Sequence, residues 1–410
     1  MRSSTMSPEN ILRERYRDVR CRSERICAPL AAEDHVPQPV AEVSPPKWHL
    51  AHTSWFFESL VLQRYQPTYS VFHPRYAYLF NSYYKGAGSH LPRHQRGDLS
   101  RPTVAEVLAY RAHVDAAMLE LLGRKLMPDV AALIELGLHH EQQHQELLLT
   151  DIKYILGNNP LAPDYDPIRV SAIDLTAEHD GTCPPLDDWL DVPAAMVQIG
   201  HVGPGFAFDN ESPQHPVWVP ATQLRRALVT NAEYLAFIQS GGYERHEFWH
   251  SDGWDWVQSL PQKAPLYWHP SPDDSAQWLH FTLTGVQPLP ATAPVTHLSY
   301  FEAHAFCQWA GWRLPTEFEW EVGAPHFNWG RRWEWTQSAY QPYPGFKRSA
   351  DIVGEYNGKF MVNQQVLRGA SFATPPGHAR LTYRNFFHAN TRWQYSGLRP
   401  ARDPITKALS

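Results

Sequence analysis

Only four of the 410 residues are cysteine, and no apolar run approaches the roughly 18 residues that a membrane-spanning helix needs. The cysteines (Cys21, Cys27, Cys183 and Cys307) are scattered and match neither a zinc-site spacing nor a disulfide framework. Basic blocks are absent and the net charge is −6, which argues against a nucleic-acid partner. The charged N-terminus lacks the apolar core of a secretory signal. These absences predict a cytoplasmic globular protein without nucleic-acid or membrane partners, and they leave the oligomeric state open.

Histidine and tryptophan are plentiful, with 22 and 16 copies. The chain is longer than a single hydrophobic core usually allows, so two domains are expected. The texture of the sequence changes near residue 190, where long periodic segments give way to short ones. We therefore predict a helical domain at 1–157, a proline-rich linker at 158–189 and a second domain at 190–410.

Helical periodicity dominates the first domain. Four segments carry apolar residues at helical spacing: 7–26, 46–65, 103–126 and 129–156. Thr103 and Glu106 form a capping-box pattern before the third segment, and Asp129 is expected to begin the fourth. Four amphipathic helices predict a four-helix bundle, whose core is a usual place for a metal held by facing helices.

Short apolar segments broken by Gly, Pro, Asn and Asp fill the second domain. Tryptophan and tyrosine are dense there, and helix is predicted mainly at 299–311. This texture favours an irregular α+β domain rich in loops. The predicted fold class is therefore multidomain, with an α domain followed by an α+β domain.

The segment HHEQQH (139–144) contains the H-E-x-x-H pattern of zinc proteases. Histidines four residues apart lie one turn apart on the same helix face, so His140 and His144 can converge on one ion. His139 points about 100° away from His140 and is interpreted as a polar boundary residue. The pattern predicts a metal-binding pair and does not by itself define the reaction.

The protease interpretation lacks its other motif positions, because Leu147 and Thr150 stand where the extended motif has glycine and histidine. A better third ligand lies in WHLAHTSWFFE, where either His49 or His52 can reach across the bundle. Three neutral imidazoles leave positions open on an octahedral ion, as related iron(II) oxygenase sites do. They also suit tetrahedral zinc, so spacing alone does not select the metal.

Several longer motifs occur together and in order. The first half contains WHLAHTSWFFE, FNSYY, RHQRGDLSRPTVAEVLAYR and HHEQQHQELLLTDIK. The second half contains FAFDNESPQHPVWV, LVTNAEYLAFIQSGGY, RLPTEFEWE, VLRGASF and YRNFFHANTRWQYSGLRPAR. Over nearly its whole length the chain thereby resembles the iron(II)-dependent sulfoxide synthases of ergothioneine biosynthesis, the EgtB family. The resemblance implies a DinB-like four-helix bundle followed by an irregular C-type-lectin-like domain of the sulfatase-modifying factor (formylglycine-generating) type.

The resemblance also implies a reaction and a cofactor. Family members use Fe(II) and dioxygen to couple a thiol, cysteine or γ-glutamylcysteine, to the imidazole C2 of hercynine (N-α-trimethylhistidine), giving a sulfoxide. The histidine of the Leu-Ala-His step is a family ligand, so the implied metal ligands are His52, His140 and His144. Both substrates can ligate iron, which would place the reacting atoms side by side.

Two aromatic pairs resemble the family branch that uses free cysteine. In that branch a loop tyrosine supplies a phenol for proton or hydrogen-atom delivery, and Tyr83 and Tyr84 match this position. Phe386 and Phe387 follow an Arg-Asn step after which the γ-glutamylcysteine branch tends to carry Trp-Asp. An aromatic face can bind the trimethylammonium group of hercynine by cation–π attraction. Ordinary core packing is the alternative for both pairs.

The resemblance assigns four further substrate-binding residues. Gln143 borders the metal face and is expected to hydrogen-bond the hercynine imidazole, and Asn385 its polar groups. Arg93 and Arg96 match an arginine pair that holds the carboxylate of the thiol substrate, although exposed solvated arginines are the alternative.

Several other functions stay open at this point. Within the family they are use of γ-glutamylcysteine, of unmethylated histidine (ovothiol type, usually with a C-terminal methyltransferase domain) or of a selenium donor (selenoneine synthase). Outside it they are a zinc-dependent thiol transferase of the DinB type and a non-catalytic lectin-like binding protein. Formylglycine generation is not expected, because that activity uses cysteines near the end of the fold and none follows Cys307.

Overall fold

The computed structural model describes residues 8–82, 84, 86, 88–166, 185, 187–274, 276–348 and 357–404. Contacts divide these residues into two compact units. The first contains the described residues up to 166 together with 283–285, and the second contains the other described residues. Within the predicted linker, residues 167–184 and 186 lie outside the described part of the chain.

Helices build the first unit. They are α1 (Pro8–Cys27), α2 (Pro46–Phe56), α3 (Gln63–Tyr65), α4 (Tyr76–Phe80), α5 (Val104–Leu121) and α6 (Pro128–Gly157), with a π-helical segment at Phe57–Leu62 between α2 and α3. The four long segments predicted from periodicity are all helical. Helix α6 begins at Pro128, one residue before Asp129, because proline lacks the N–H that the first helical position leaves unbonded.

A buried carboxylate ties α6 to α1 and α5. Glu141 on α6 is fully buried and accepts hydrogen bonds from Arg111 Nη2 (2.5 Å), Arg20 Nη1 (2.9 Å) and Ser23 Oγ (2.6 Å). Burial alone would raise the pKa of this carboxyl, but Arg111 and Arg20 outweigh burial and lower the pKa to about 2. Glu141 is therefore an anion in the bundle core, and the face of α6 that carries it packs against α1 and α5.

A glycine lets α6 approach the π-helical segment. A Cβ built on Gly137 would lie 2.6 Å from Phe57 Cε1 and 2.8 Å from Phe56 Cε1, closer than real carbon contacts occur. Gly137 lies three residues before His140, on the same side of α6. The close approach therefore occurs one helical turn from the predicted metal ligands.

Short strands and helices make up the second unit. The helices are α7 (Asn231–Gln239), α8 (Ser251–Gln258), α9 (Tyr300–Ala310) and α10 (Glu317–Gly323). The strands are β1 (Trp189–Val192), β2 (Ala195–Ile199), β3 (His215–Val219), β4 (Thr222–Arg225), β5 (Trp268–Pro270), β6 (Trp278–Thr282), β7 (Gly285–Pro288), β8 (Trp333–Ala339), β9 (Gln365–Gly369), β10 (Asn385–Phe387), β11 (Ser396–Gly397) and β12 (Ala401–Arg402). Among the described residues they form four small sheets, ordered β1-β4-β12, β10-β9-β8-β11, β2-β3 and β5-β6-β7.

The second unit is an irregular mixture of α and β structure. In the largest sheet β9 pairs antiparallel with β8 and β10, while β11 pairs parallel with β8. The predicted helix at 299–311 is α9, but α7, α8 and α10 show that the sequence analysis underestimated the helical content. The helical first unit and the mixed second unit confirm the predicted multidomain class.

Capping boxes set the start of four helices. In each, a Ser or Thr accepts from the backbone of a Glu three residues on, and that Glu accepts in return. The pairs are Thr103 with Glu106, Thr230 with Glu233, Ser299 with Glu302, and Thr316 with Glu319. Local sequence therefore defines where these helices begin.

Among the helices that the structure describes, none combines the length and apolar character required to cross a membrane.

Replacing Glu141 with glutamine is expected to destabilise the first unit. The change leaves Arg20 and Arg111 without their shared counter-charge, and the loss should be about 3 kcal/mol, the lower end for a broken buried pair because Asp115 and Glu24 still contact these arginines. Urea unfolding of the metal-free full-length protein measures this difference. Glu120→Gln is the matched control, since Glu120 forms an exposed pair with Arg124 and should matter by less than about 0.5 kcal/mol.

The difference in stability between the wild type and Glu141→Gln should also depend on pH. The folded-state pKa of Glu141, about 2, lies below its ordinary value of 4.5, so the ionised carboxylate stabilises the fold above pH 4.5. That contribution is lost as the pH falls through about 2. The difference in the free energy of unfolding between the wild type and Glu141→Gln should therefore decrease as the pH falls below about 5. Equal free energies of unfolding at pH 7 would contradict the structural role of Glu141.

Candidate metal centre

Three histidines from two helices meet in the first unit. His52 lies on α2, and His140 and His144 lie one turn apart on α6. His52 Nε2 is 3.2 Å from His140 Nε2, and one ring nitrogen of each histidine lies within 4.8 Å of those of the other two. His52 and His140 are buried, and His144 is partly buried. The structure thus brings together the three predicted ligands.

Aromatic packing fixes the orientation of His52. Its ring stacks on Trp48, with centroids 4.5 Å apart, and on Trp55, with centroids 5.4 Å apart, at interplanar angles of 12° and 10°. Residues four before and three after His52 share its face of the helix, which explains both contacts. His52 Nδ1 lies 2.6 Å from the carbonyl oxygen of Phe80. Because a carbonyl only accepts, Nδ1 carries the proton and the Nε2 lone pair faces the other histidines.

The environment keeps all three imidazoles neutral near pH 7. Burial lowers the pKa of His140 to about 3. Burial, and to a smaller extent the electrostatic effect of the neighbouring His140, hold the pKa values of His52 and His144 well below the ordinary value of 6.5. A metal requires the deprotonated imidazole, so the lone pairs are available without displacement of a proton.

The donor set fits a first-row divalent metal. Two nitrogens bound at about 2.1 Å would lie about 3.0 Å apart at a right angle and about 3.4 Å apart at a tetrahedral angle. The separation of 3.2 Å between His52 Nε2 and His140 Nε2 falls between these values. The cluster therefore suits a metal without distinguishing octahedral from tetrahedral coordination. Three protein ligands leave positions for substrates.

The H-E-x-x-H pattern is not used here as a protease uses it. A metalloprotease needs the glutamate as a general base near the metal. Glu141 instead faces α1 and α5 and accepts from two buried arginines. With a pKa of about 2, this carboxylate is a poor base. The geometry thus agrees with the sequence analysis in setting the protease interpretation aside.

His49, the alternative third ligand, lies beside the cluster and contacts it differently. Its Nδ1 is 2.8 Å from His144 Nδ1, and its Nε2 is 3.0 Å from Asp151 Oδ2. Sequence reasoning missed Asp151. The available signal was its position seven residues after His144, two turns along the same face of α6.

The two arginines assigned to the thiol substrate differ in environment. Arg96 is buried, its guanidinium carbon lies 3.4 Å from the centroid of the Trp48 ring, and its nitrogens donate to Ser44 Oγ (2.9 Å) and Ser82 Oγ (2.8 Å). Arg93 is exposed and donates to a backbone carbonyl. Only Arg96 therefore shares a packing partner, Trp48, with a predicted metal ligand.

The remaining candidates in the first unit are Gln143, Tyr83 and Tyr84. Gln143 is partly buried on α6, between the two histidine ligands. Tyr84 is fully buried, and its ring lies 5.5 Å from that of Trp55, which stacks on His52. Tyr83 lies outside the described residues. The indole ring of Trp55 therefore lies between Tyr84 and His52, a predicted metal ligand.

The last three candidates form β10 in the second unit. Phe386 stacks on Tyr340, with centroids 4.0 Å apart and planes 9° apart. The Asn385 side chain accepts a hydrogen bond from the backbone N–H of Phe386. Phe387 is partly buried and pairs in register with Gln365 on β9. Tyr340 thus covers one face of Phe386.

Single His→Ala substitutions at 52, 140 and 144 should each weaken binding of a divalent first-row metal by at least about tenfold, because a three-ligand site loses a third of its donors. Elemental analysis and titration with Co²⁺ measure the stoichiometry, expected to be one ion per chain, and the affinity. His139→Ala is the control, since His139 is buried next to His140 but contacts Arg15. Equal loss in His139→Ala would contradict the assignment of the ligands to one helix face.

Two family models match the chain. The DinB superfamily matches residues 15–148, which include His52, His140 and His144, and the Sulfatase-modifying factor enzyme 1-like domain matches residues 184–330. The domain types implied by the resemblance are thereby confirmed, in the expected order.

Two of the relatives are similar along most of the chain, and a third is similar along about a third of it. The hercynine oxygenase of Mycolicibacterium smegmatis is 29% identical over 416 residues, covering 88% of this chain and 91% of that protein. The hercynine oxygenase of Mycobacterium tuberculosis is 28% identical over 410 residues, covering 88% and 91%. A formylglycine-generating enzyme of Streptomyces coelicolor is 32% identical over 148 residues, 32% of this chain and 45% of that protein. Since the likeness to the hercynine oxygenases spans both domains, the chain belongs with them to the EgtB-type family of oxidoreductases.

Proposed function

We propose that this protein is an iron(II)- and dioxygen-dependent sulfoxide synthase that couples cysteine to C2 of hercynine and forms hercynylcysteine sulfoxide. The observation that carries the proposal is the cluster of His52, His140 and His144, in a chain similar along 88% of its length to hercynine oxygenases. A purely ligand-binding role would leave the three converging imidazoles unexplained.

We propose that His52, His140 and His144 hold the iron. A ferrous ion there would supply one-electron chemistry with dioxygen and coordination positions for both substrates. The protein's own contribution is to hold three uncharged donors on one side of the site. Trp48, Trp55 and Phe56 pack against the rings of His52 and His140, and both of these histidines are buried. Electrostatic interactions are stronger in a buried site than in water.

Arg96, with Arg93, is proposed to bind the carboxylate of cysteine. A guanidinium fork suits a carboxylate because it donates two parallel hydrogen bonds. Ser44 and Ser82 orient the Arg96 guanidinium without neutralising its charge. The location of Arg96 against Trp48, on which His52 also stacks, would direct the cysteine thiol toward the three histidines.

Hercynine is proposed to be bound by Gln143, Asn385, Phe386 and Phe387. Gln143 can hydrogen-bond the hercynine imidazole, because it borders the ligand face of α6. A trimethylammonium group has no N–H to donate, so aromatic faces are its best partners, worth about 0.5–2 kcal/mol. We assign this contact chiefly to Phe387, because Tyr340 already covers one face of Phe386.

The proton donor is proposed to be Tyr83 or Tyr84. Tyr84 has a buried phenol that is separated from His52 by the indole ring of Trp55. A phenol in that position can deliver a proton or hydrogen atom during oxygen reduction. Without it, oxygen reduction should oxidise the thiol alone in place of forming the C–S bond.

Substrate-dependent oxygen uptake tests the function. The iron-loaded protein should consume dioxygen only when hercynine and a thiol are both present, since each must occupy the site before oxygen reacts. Mass spectrometry of products, with cysteine, γ-glutamylcysteine and a selenium donor in competition, identifies the donor; histidine replaces hercynine in a parallel reaction. Cysteine with hercynine should give the dominant product.

Other outcomes select the alternatives. Preference for γ-glutamylcysteine, for histidine or for a selenium donor would assign the protein to another branch of the family. Substrate binding without oxygen uptake would support the alternative of a lectin-like binding protein. In the same assay, Tyr83→Phe combined with Tyr84→Phe should lower the ratio of sulfoxide to oxidised thiol. An unchanged ratio would remove the tyrosines from the mechanism.

Substitutions at the two substrate contacts should have separable effects. Arg96→Lys loses the bidentate geometry and should raise KM for cysteine by about tenfold or more, as charged hydrogen bonds are worth roughly 1.5–3 kcal/mol. Arg93→Lys is the matched comparison, and the exposure of Arg93 predicts a smaller effect. Phe387→Leu should raise KM for hercynine while KM for cysteine stays nearly normal. Equal changes for both substrates in either variant would contradict these assignments.

A further inference from the structure

A chain of hydrogen bonds runs from a carboxylate to one of the three histidines. Asp151 Oδ2 lies 3.0 Å from His49 Nε2, and His49 Nδ1 lies 2.8 Å from His144 Nδ1. His49 and Asp151 are both buried, each 2% exposed. Asp151 Oδ2 also accepts the backbone N–H of Ser44 at 2.8 Å, which fixes the carboxylate in place. The chain links α2 to α6, the same two helices that carry the cluster.

The direction of the hydrogen bonds follows from the acceptor at the end. An ionised carboxylate can only accept, so His49 Nε2 carries a proton toward Asp151. For His144 to keep a lone pair on Nε2 for a metal, His49 must accept through Nδ1, as it does in the tautomer that donates Nε2–H to Asp151. Two ring nitrogens 2.8 Å apart must share one proton, so the proton belongs to His144 Nδ1. His144 is left with its lone pair on Nε2.

We propose that His49 and Asp151 are positioning residues that fix the tautomer and ring orientation of His144, so that His144 presents Nε2 to a metal ion. The proposal rests on the proposed function only in requiring that the three histidines bind a divalent ion. His52 provides a parallel within the same site, because the carbonyl oxygen of Phe80 fixes its tautomer in the same sense.

The consequence for metal binding is energetic. A neutral imidazole without a partner populates both tautomers and several ring orientations, and binding must then select one of them. Loss of a partner that orients a ligand typically weakens metal affinity about 10–100-fold. His49 differs from the three ligands in that its Nδ1 faces a ligand ring and its Nε2 faces a carboxylate.

Equilibrium binding of Co²⁺ to the metal-free full-length protein tests the proposal, with affinity from chelator competition and geometry from the d–d absorption bands. His49→Leu removes the acceptor for His144 Nδ1–H and should weaken binding about 10–100-fold and alter the bands. His49→Asn places an amide oxygen near the former Nδ1 and should restore most of the affinity. Asp151→Leu should weaken binding in the same direction as His49→Leu.

His35→Leu is the matched control. His35 is a buried histidine of the same unit, with Nδ1 2.9 Å from the carbonyl oxygen of Ala31, and its replacement should leave the Co²⁺ affinity and spectrum unchanged. Circular dichroism confirms that each variant is folded. Wild-type affinity and spectrum in a folded His49→Leu would overturn the proposal, as would a wild type that binds no Co²⁺.

A measurement on the wild type avoids dependence on variant folding. In the zinc-loaded protein with ¹⁵N-labelled histidine rings, His144 should show a protonated Nδ1 and a zinc-bound Nε2. Coordination through Nδ1 would overturn the proposal. A protein that passes both tests but forms no sulfoxide would contradict the proposed function alone, and unchanged metal binding in His49→Leu with normal sulfoxide synthesis would contradict only the positioning role.

Discussion

A carboxylate buried between two guanidinium groups determines how α6 is turned about its own axis. Glu141 has partners on α1 and α5, and none of these charges can leave the core without separation of a buried pair. Successive residues on a helix differ in direction by about 100°. With Glu141 turned toward α1 and α5, His140 and His144 face α2. The three-histidine cluster therefore depends on an ion pair that forms on a different face of α6.

The first unit was largely predictable from the sequence because its signals are local. Periodicity gave the four long helices, and the spacing of His140 and His144 gave a pair on one face. The partners of Glu141 were not predictable, since Arg20 lies 121 residues away and becomes a neighbour only through the packing of α1 on α6. Spacing also left His49 and His52 equivalent. The structure separates them by what each ring faces.

The second unit contains local signals for more helices than were predicted. Thr230-x-x-Glu233 and Thr316-x-x-Glu319 have the same capping pattern as the start of α5, but they lie among dense aromatic residues and short apolar segments that are typical of loops. The aromatic pair at 386–387 shows a different limit. Its two rings are identical in type, and the stacking of Tyr340 on Phe386 distinguishes them. Such a contact between residues 46 positions apart has no local signature.

The missing side chain at Gly137 has a consequence for which ions the cluster can accept. A β-carbon there would lie less than 3.0 Å from ring carbons of Phe56 and Phe57, so these rings, or the helix that carries them, would have to shift. His52 lies four residues before Phe56 on α2, so a shift of that helix would also change the distance between His52 and His140. The absence of a side chain one turn from His140 therefore helps to hold the two Nε2 atoms 3.2 Å apart, a separation that suits a small divalent ion.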